Sequence, residues 1–237
     1  MTAGYSRSNI LNMDETSFFY SMTPHRSITR NRIPRLKKNK KRITVALTTN
    51  AAGTDMIEPL LIGTAIRPRC FGGQTPRDLG FDYCASKKGW MTSNIFNSYL
   101  KHVDDKMAQE ERKVLMLVDN APSHLVHADT HLRNVSVKML PKNTTAHLQP
   151  QDAGIIASFK AKVKQRQLQN ALGQINSVLA GRQDRLYDVP LDVAMGWAKD
   201  AWMSVSNATV RNCWDRTGII DDDLTVFSAR VANLEVN

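Results

Sequence analysis

Cysteine is scarce in this chain and provides no framework. The three present, Cys70, Cys84 and Cys213, are odd in number and form no CxxC pair, which argues against a disulfide scaffold and a zinc ribbon. Long apolar runs are missing as well: no stretch approaches the roughly 18 residues that a membrane span needs. Residues 1–10 lack the apolar core of a signal peptide. The expected setting is therefore intracellular, and the N-x-[ST] matches at Asn134, Asn143 and Asn207 are chance sequons. The chain is not starved of hydrophobic residues either, since 42% hydrophobic and 23% charged content are globular values that exclude wholesale disorder. Its 237 residues allow one large domain or one and a half. A basic, soluble protein with an ample core remains.

Acid is absent from one stretch in particular. Between His25 and Arg42 there is no Asp or Glu, against Arg26, Arg30, Arg32, Arg35, Lys37, Lys38, Lys40, Lys41 and Arg42. Those side chains supply nearly all of the formal net charge of +10. Interleaved with Asn, Thr and Pro, they read as a loop or hairpin arm that follows a polyanion. The same run, PRLKKNKKR, suits a nuclear-import address, and the bland alternative is a solvated loop.

Periodicity divides the chain into alternating elements. Residues 8–13 read as a first strand ending at Asp14. Residues 42–49 (RITVALTT) read as a second, turned by Asn50-Ala51-Ala52-Gly53 into a third over 56–63, where Pro59 marks an edge or bulge. A long loop with one short extended piece follows over 64–89. Thr92 or Ser93 caps a helix that buries Ile95, Phe96, Tyr99, Leu100, Val103 and Met107. On it, Asp104 and Asp105 read as surface charges. VLMLV (114–118) is apolar throughout, as a strand covered on both faces must be. Residues 135–140 form another strand, and 152 to about 172 a helix with Ile155, Ile156, Phe159 and Val163 inward. After a loop over 181–190, helical patterns place Val193, Trp197, Ala201, Trp202 and Val205 in the core. Trp90, Trp197, Trp202 and Trp214 all sit in apolar contexts and read as core aromatics. A strand meander followed by alternating helices and strands predicts an α/β fold with a mixed sheet flanked by helices.

Chemistry in such sheets gathers at the carboxyl ends of the central strands. Asp14 and Asp119 each follow a predicted strand, and Asp152 opens the helix after another. Three carboxylates brought together repel, and raised pKa values or bound divalent cations resolve the repulsion. Oxygen ligands suit Mg2+ or Mn2+, which is the donor set of a two-metal phosphodiester-cleaving site. On spacing alone, Asp14 and Asp152 serve equally as helix N-caps and Asp119 as a turn residue.

Several segments carry a resemblance. NMDET (12–16), KRITVALTTNAAG (41–53), KGWMT (88–92), LVDNAPSH (117–124), LPKNTT (140–145), LQPQDAGIIASFK (148–160) and AWMSVSNATVRNCWDRTGI (201–219) run in the order found in one family. The chain resembles the pogo/Tigger/jerky group of DDE-superfamily transposases, related to mariner elements and to centromere-protein-B-like domesticated proteins. The resemblance implies an RNase H-like catalytic domain over 1–172 and a helical C-terminal extension over 173–237. It also implies Asp14, Asp119 and Asp152 as a catalytic, metal-binding triad holding two ions, Mg2+ or Mn2+. Gln151 and Ala153 depart from the Leu and Gln more usual beside the third acid.

Around the triad, Asn120 holds the turn after the strand or orients Asp119, and His124 matches the family motif and touches substrate or braces the site. His124, His127 and His131 fall at i, i+3 and i+7 of a helical pattern, a superficial zinc row without a fourth ligand. Asp221–Asp223 reads as a solvated turn. Lys160, Lys162, Lys164 and Arg166 follow Asp152 on one helix, some toward DNA and the rest toward solvent. The helix-turn-helix modules that precede this domain in the group are expected to be absent from this chain, whose first predicted strand begins near residue 8. The implied partner is double-stranded DNA, with a homodimer as one option and no membrane, in the nucleus. The leading function is a metal-dependent DNA endonuclease and strand transferase of a cut-and-paste transposase. A non-catalytic, domesticated DNA- or chromatin-binding protein is the competing class. An RNA nuclease fits less well for want of stacking aromatics near the basic run.

Replacing Lys37, Lys38, Lys40, Lys41 and Arg42 by Ala is expected to weaken DNA binding whatever the base sequence. Each lost phosphate contact lowers the log–log salt slope by about 0.9 on duplex DNA. Titrations over a range of salt measure that slope, and an unchanged one assigns the run to import or solubility.

Overall fold

The computed structural model describes residues 2, 4–21, 40–182 and 189–220. Arg35, Lys37, Lys38, the rest of the basic run before Lys40, and Asp221–Asp223 lie outside the described residues. A six-stranded mixed sheet forms the centre, in the order β4-β3-β2-β1-β5-β6. β1 spans Ile10–Phe19, β2 Arg42–Asn50, β3 Met56–Gly63, β4 Asp82–Ala85, β5 Val114–Val118 and β6 Val135–Met139.

β1 does not stop at Asp14 as expected. Thr16, Ser17, Phe18 and Phe19 continue it by pairing antiparallel with Val45, Thr44, Ile43 and Arg42, so the acid sits in mid-strand. β2 turns into β3 as predicted. The Asn50 carboxamide oxygen accepts from the backbone N–H groups of Thr54 and Asp55, while Gly53 adopts φ 67°. A Cβ on Gly53 would stand 2.6 Å from the Asn207 carbonyl oxygen, so both the turn and the close approach of a helix require glycine. Pro59 falls where the β2–β3 register shifts between Ala46 and Thr48, the bulge that tolerates a missing N–H. β5 is fully buried at every position and lies parallel between β1 and β6, which explains its unbroken apolar run.

Two cores cover the faces of the sheet. On one, α1 (Ser93–Gln109), capped by the Thr92 hydroxyl, packs Phe96, Tyr99, Leu100, Val103 and Met107 against Leu11, Met13, Ala46, Met116 and Val118. On the other, α3 (Ile156–Leu179), α4 (Leu191–Met203) and α5 (Asn207–Thr217) pack against Ile10, Val45, Leu47, Leu115 and Leu117. α3 runs through residue 172 without a break, and α4 and α5 share its core. A short helix not foreseen from periodicity, α2 (Thr145–Leu148), precedes the turn that enters α3.

The aromatic expectations divide. Trp202 and Trp214 are fully buried, with their indole N–H groups donating to the Ile57 carbonyl at 2.8 Å and the Thr49 hydroxyl at 3.3 Å. Trp197 is partly buried. Trp90 is 50% exposed and is not a core residue. Val193 is also exposed, and Ala194, Met195 and Ala198 take the inward positions of α4.

Asp104 corrects its surface assignment: it is buried, whereas Asp105 is exposed. The Asp104 carboxylate accepts from the backbone N–H groups of Arg133, Asn134 and Val135, fixing the start of β6. Asp104→Ala strands those donors and is expected to cost about 2–3 kcal/mol, since each unsatisfied buried group costs roughly 1–3 kcal/mol. Urea unfolding should show the fall in midpoint, with Asp104→Asn losing less because it retains an acceptor.

Candidate active site

Strand pairing sets the predicted acids on adjoining segments. β1 and β5 run parallel with Asn12 opposite Leu117, so Asp14 and Asp119 each lie two residues beyond that pair. Asp119 is the first residue past β5. Asp152 sits in the widened turn Gln151–Ile155 that leads into α3. Gly154 makes that turn with φ 148°, a conformation that favours glycine, and a Cβ there would stand a tight 3.0 Å from Cys213 Sγ.

One buried carboxamide joins all three segments. Asn12 Nδ2 donates to the Leu117 carbonyl at 2.9 Å, while its Oδ1 accepts from the Gln151 backbone N–H at 3.1 Å. Gln151 Nε2 in return donates to the Asn12 carbonyl at 3.1 Å and to the Thr49 hydroxyl at 3.4 Å. Asn12 and Gln151 are both fully buried. Gln151, noted above as a departure from the family pattern, is thus a strut between β1, β2 and the Asp152 turn.

The acids differ sharply in environment. The Asp14 carboxyl is buried and pushed up to about 7, first by that burial and then by the charges of Asp152 and Glu15. The Gln149 carboxamide and the Glu15 N–H pull the other way. Gln149 is 1% exposed, yet neither polar atom of its side chain closes a full hydrogen bond with a protein group. Asp152 is exposed at the surface, but partial desolvation and the charge of Asp119 raise its pKa against the opposing Lys160. Asp119 departs from the expected rise. Burial pushes it up, but its pairing with His124 and the Ala121 N–H outweigh burial and leave it below the usual carboxylate range.

His124 is the group that sequence reading placed only vaguely. It is fully buried at the end of a short 3-10 turn, Pro122–His124, with its ring 4.9 Å from that of Phe96. Nδ1 pairs with Asp119 Oδ1, and Nε2 lies 2.9 Å from Glu15 Oε1. Burial alone would lower its pKa; the two carboxylates overturn that and push it up to about 10. At neutral pH the ring is an imidazolium bridging two acids. Asn120 is exposed, and the turn is closed instead by Asp119 Oδ1 accepting from the Ala121 N–H at 3.1 Å.

The zinc row does not form, because the helical turn ends at His124 and residues 125–131 are not helical. Among the described residues no group of three or more His, Cys, Asp or Glu side chains is gathered in a way that could hold a metal ion. Lys40 and Lys41 are exposed ahead of β2, and Arg42 opens it. Glu15, Asn12, Gln149 and Gln151 were not singled out as site residues; the signal available was their place inside the NMDET and LQPQD segments.

A family model described as "DDE superfamily endonuclease" matches residues 40–214. The chain belongs to the DDE superfamily. Tigger transposable element-derived protein 4 of Mus musculus is 26% identical over 216 residues, covering 90% of this chain and 40% of the relative. Major centromere autoantigen B of Homo sapiens is 27% identical over 216 residues, covering 91% and 34%. The chain thus spans two fifths or less of these curated relatives. Among solved structures, the Mos1 transposase paired-end complex with left transposon end aligns with a TM-score of 0.52 at 16% identity, over 91% of this chain and 53% of that one. The Mos1 mariner paired end complex with Mn aligns at 0.51 and 17%, over 90% and 55%. At such identities the likeness establishes the fold: this DDE domain is an RNase H-like mixed sheet flanked by helices.

Because Asp14 titrates near 7 in the folded domain against 3.8 ordinarily, its ionised form costs stability above that value. The cost shrinks as pH falls through the window between the two and is gone below it. Asp14→Asn removes the ionisation. In EDTA the variant is therefore expected to melt higher than wild type at about pH 8.5, with the advantage vanishing near pH 4. An advantage that stays constant with pH would show that Asp14 is not raised.

Proposed function

We propose that the chain is the catalytic domain of a cut-and-paste transposase, a metal-dependent DNA endonuclease and strand transferase. Asp14, Asp119 and Asp152 would hold two divalent cations, Mg2+ or Mn2+. The observation that carries this reading is the Asp14 carboxyl, buried in mid-strand and raised to about 7 in part by Asp152, on the strand next to the one that Asp119 follows. A cation placed among these groups relieves the repulsion that burial magnifies. The donor set is all carboxylate oxygen, which fits hard divalent ions, although the three acids are not closed around a point. Further support comes from the solved relatives, which by their names are transposase complexes with a transposon end and with Mn.

The protein's own groups have definable roles in this reading. Both contacts of Asp119, from His124 and from the Ala121 N–H, fall on Oδ1, which leaves Oδ2 to face a ligand. His124 thereby acts as a positioning residue, and its positive charge keeps Asp119 ionised. Lys160, whose charge reaches Asp152, stands ready for a phosphate, and Lys40, Lys41 and Arg42 extend the cationic approach to a duplex. Bound cations would supply a water of lowered pKa and neutralise charge on the leaving oxygen. A nuclear setting and, as an option, a homodimer accompany the reading. The centromere autoantigen relative and the ungathered acids favour one alternative, a domesticated DNA- or chromatin-binding protein without catalysis.

Nicking of supercoiled plasmid with Mg2+ or Mn2+, compared with EDTA, decides between them. Wild type should nick with metal, and Asp152→Asn should fall to background. Asp152 is exposed and its charge raises Asp14, so the variant should melt at or slightly above the wild-type temperature in EDTA. Metal should raise the wild-type Tm by binding the folded state and leave that of the variant unmoved. Asp119→Asn should also lose cleavage, but with a lower Tm, because it strips a buried imidazolium of a partner. Normal nicking by Asp152→Asn would sink the two-metal assignment. Retained DNA binding without any cleavage would favour the alternative.

A further inference from the structure

Trp90 is half-exposed, yet its backbone is fixed. The Ser86 hydroxyl accepts from the Trp90 N–H at 2.9 Å and donates to the Trp90 carbonyl at 2.7 Å. The preceding Gly89 carbonyl accepts from the Thr44 hydroxyl at 2.6 Å, and the Lys88 carbonyl from Arg42 at 3.4 Å. The turn carrying the indole is thus pinned to β2. Isolated exposed hydrophobic residues need no explanation, but this one has charged company. The Arg42 guanidinium and the Lys88 ammonium each lie 5.1 Å from the centre of its ring.

The indole also borders a groove of about 290 Å3 lined by Glu15, Ser17, Arg42, Thr44 and Ser123 among others. Glu15 is joined through the His124 ring to Asp119, so the groove wall is two polar contacts from the proposed reaction centre. Arg42 and Lys88 bring two cationic groups to the ring at the groove's edge. Ser17 and Ser123 add hydroxyls. The volume is at the small end of ligand cavities, which run from roughly 300 to 1,000 Å3; it suits one nucleotide and not a length of duplex.

We infer that this groove is a subsite for a single unpaired nucleotide of the DNA substrate, its base stacked on Trp90 and its phosphates met by Arg42 and Lys88. The inference rests on the endonuclease reading and adds to it a place where one strand, separated from its complement, is held two polar contacts from Asp119. Aromatic stacking accepts any base, because every base has a π-face, so the subsite recognises unpairing and not sequence. Lys88 has a long flexible stem and can move from the ring to a phosphate when a base takes its place.

Binding in EDTA tests the subsite without catalysis. Three probes share one duplex: blunt, carrying a short single-stranded deoxynucleotide overhang, and carrying the same overhang with abasic sugars. Wild type should prefer the base-bearing overhang to the blunt duplex by roughly 5- to 150-fold, the range that one stacked base contributes. That probe should also quench the tryptophan emission. The abasic overhang should lose most of the preference, Trp90→Ala should abolish both preference and quenching, and Trp90→Phe should restore part of the preference. An unchanged preference in Trp90→Ala, or equal binding of base-bearing and abasic overhangs, overturns the subsite. Tighter binding of a ribonucleotide overhang overturns its assignment to DNA. A chain that nicks plasmid with metal but has no overhang preference overturns the subsite alone. A chain that neither binds nor nicks DNA overturns the endonuclease reading with it.

Discussion

The Asn12 side chain ties β1 to β5 and to the turn before α3, and those are the three segments that carry the acids. Carboxylates at close range repel, so they cannot assemble their own site; neutral hydrogen bonds elsewhere must hold the strands and the turn in place. Asn12 and Gln151 do this from fully buried positions, where low dielectric strengthens each hydrogen bond they make and makes its loss costly. Neither carboxamide titrates. The scaffold is therefore indifferent to the protonation of Asp14 and would be equally so to the arrival of a cation.

That neutral frame lets three chemically identical residues become three different groups. Asp14 is buried in mid-strand and raised, Asp119 is paired with an imidazolium and lowered, and Asp152 is exposed and raised by partial desolvation and by Asp119. The order follows from position on the sheet. A mid-strand side chain is covered by α3 and the helices packed with it, a residue just past a strand end meets the next turn, and a residue before a helix faces solvent. His124 prevents the repulsion from being shared evenly. By taking Asp119 and Glu15 together it cancels part of the negative charge, and the remainder falls on Asp14 and Asp152.

Periodicity made much of this legible. VLMLV could be nothing but a doubly covered strand, and the α1 face from Phe96 to Met107 reads directly from 3.6-residue spacing. What failed was any buried polar group whose partner lies far along the chain. Asp104 sits one residue from the buried Val103, but the N–H groups that justify its burial belong to residues 133–135. Asp14 looked like a strand end because acids rarely occupy mid-strand; only the pairing of Phe18 and Phe19 with β2 shows otherwise. Trp90, next to Met91 and Ile95, carries the local signature of a core residue, and nothing local records that its turn is drawn outward to β2. The acids themselves were found through the segments around them, since their spacing alone also fits caps and turns.

The correction at Trp90 alters one weighing made from sequence. A shortage of stacking aromatics near the basic run counted against an RNA nuclease, yet the fold brings an exposed indole to Arg42, the last residue of that run. The two faces of the sheet then divide the work. Asp14 projects with Gln149 and Asp152 on the side of α3, whereas Glu15, Trp90 and the groove lie on the side of α1. His124 stands between them. A phosphodiester chain running from Arg42 and Lys88 toward the acids must pass the Glu15 carboxylate, which unpaired would repel it. Because the imidazolium sits between Glu15 and Asp119, it offsets one of their two negative charges and so weakens the repulsion that a phosphate would meet there.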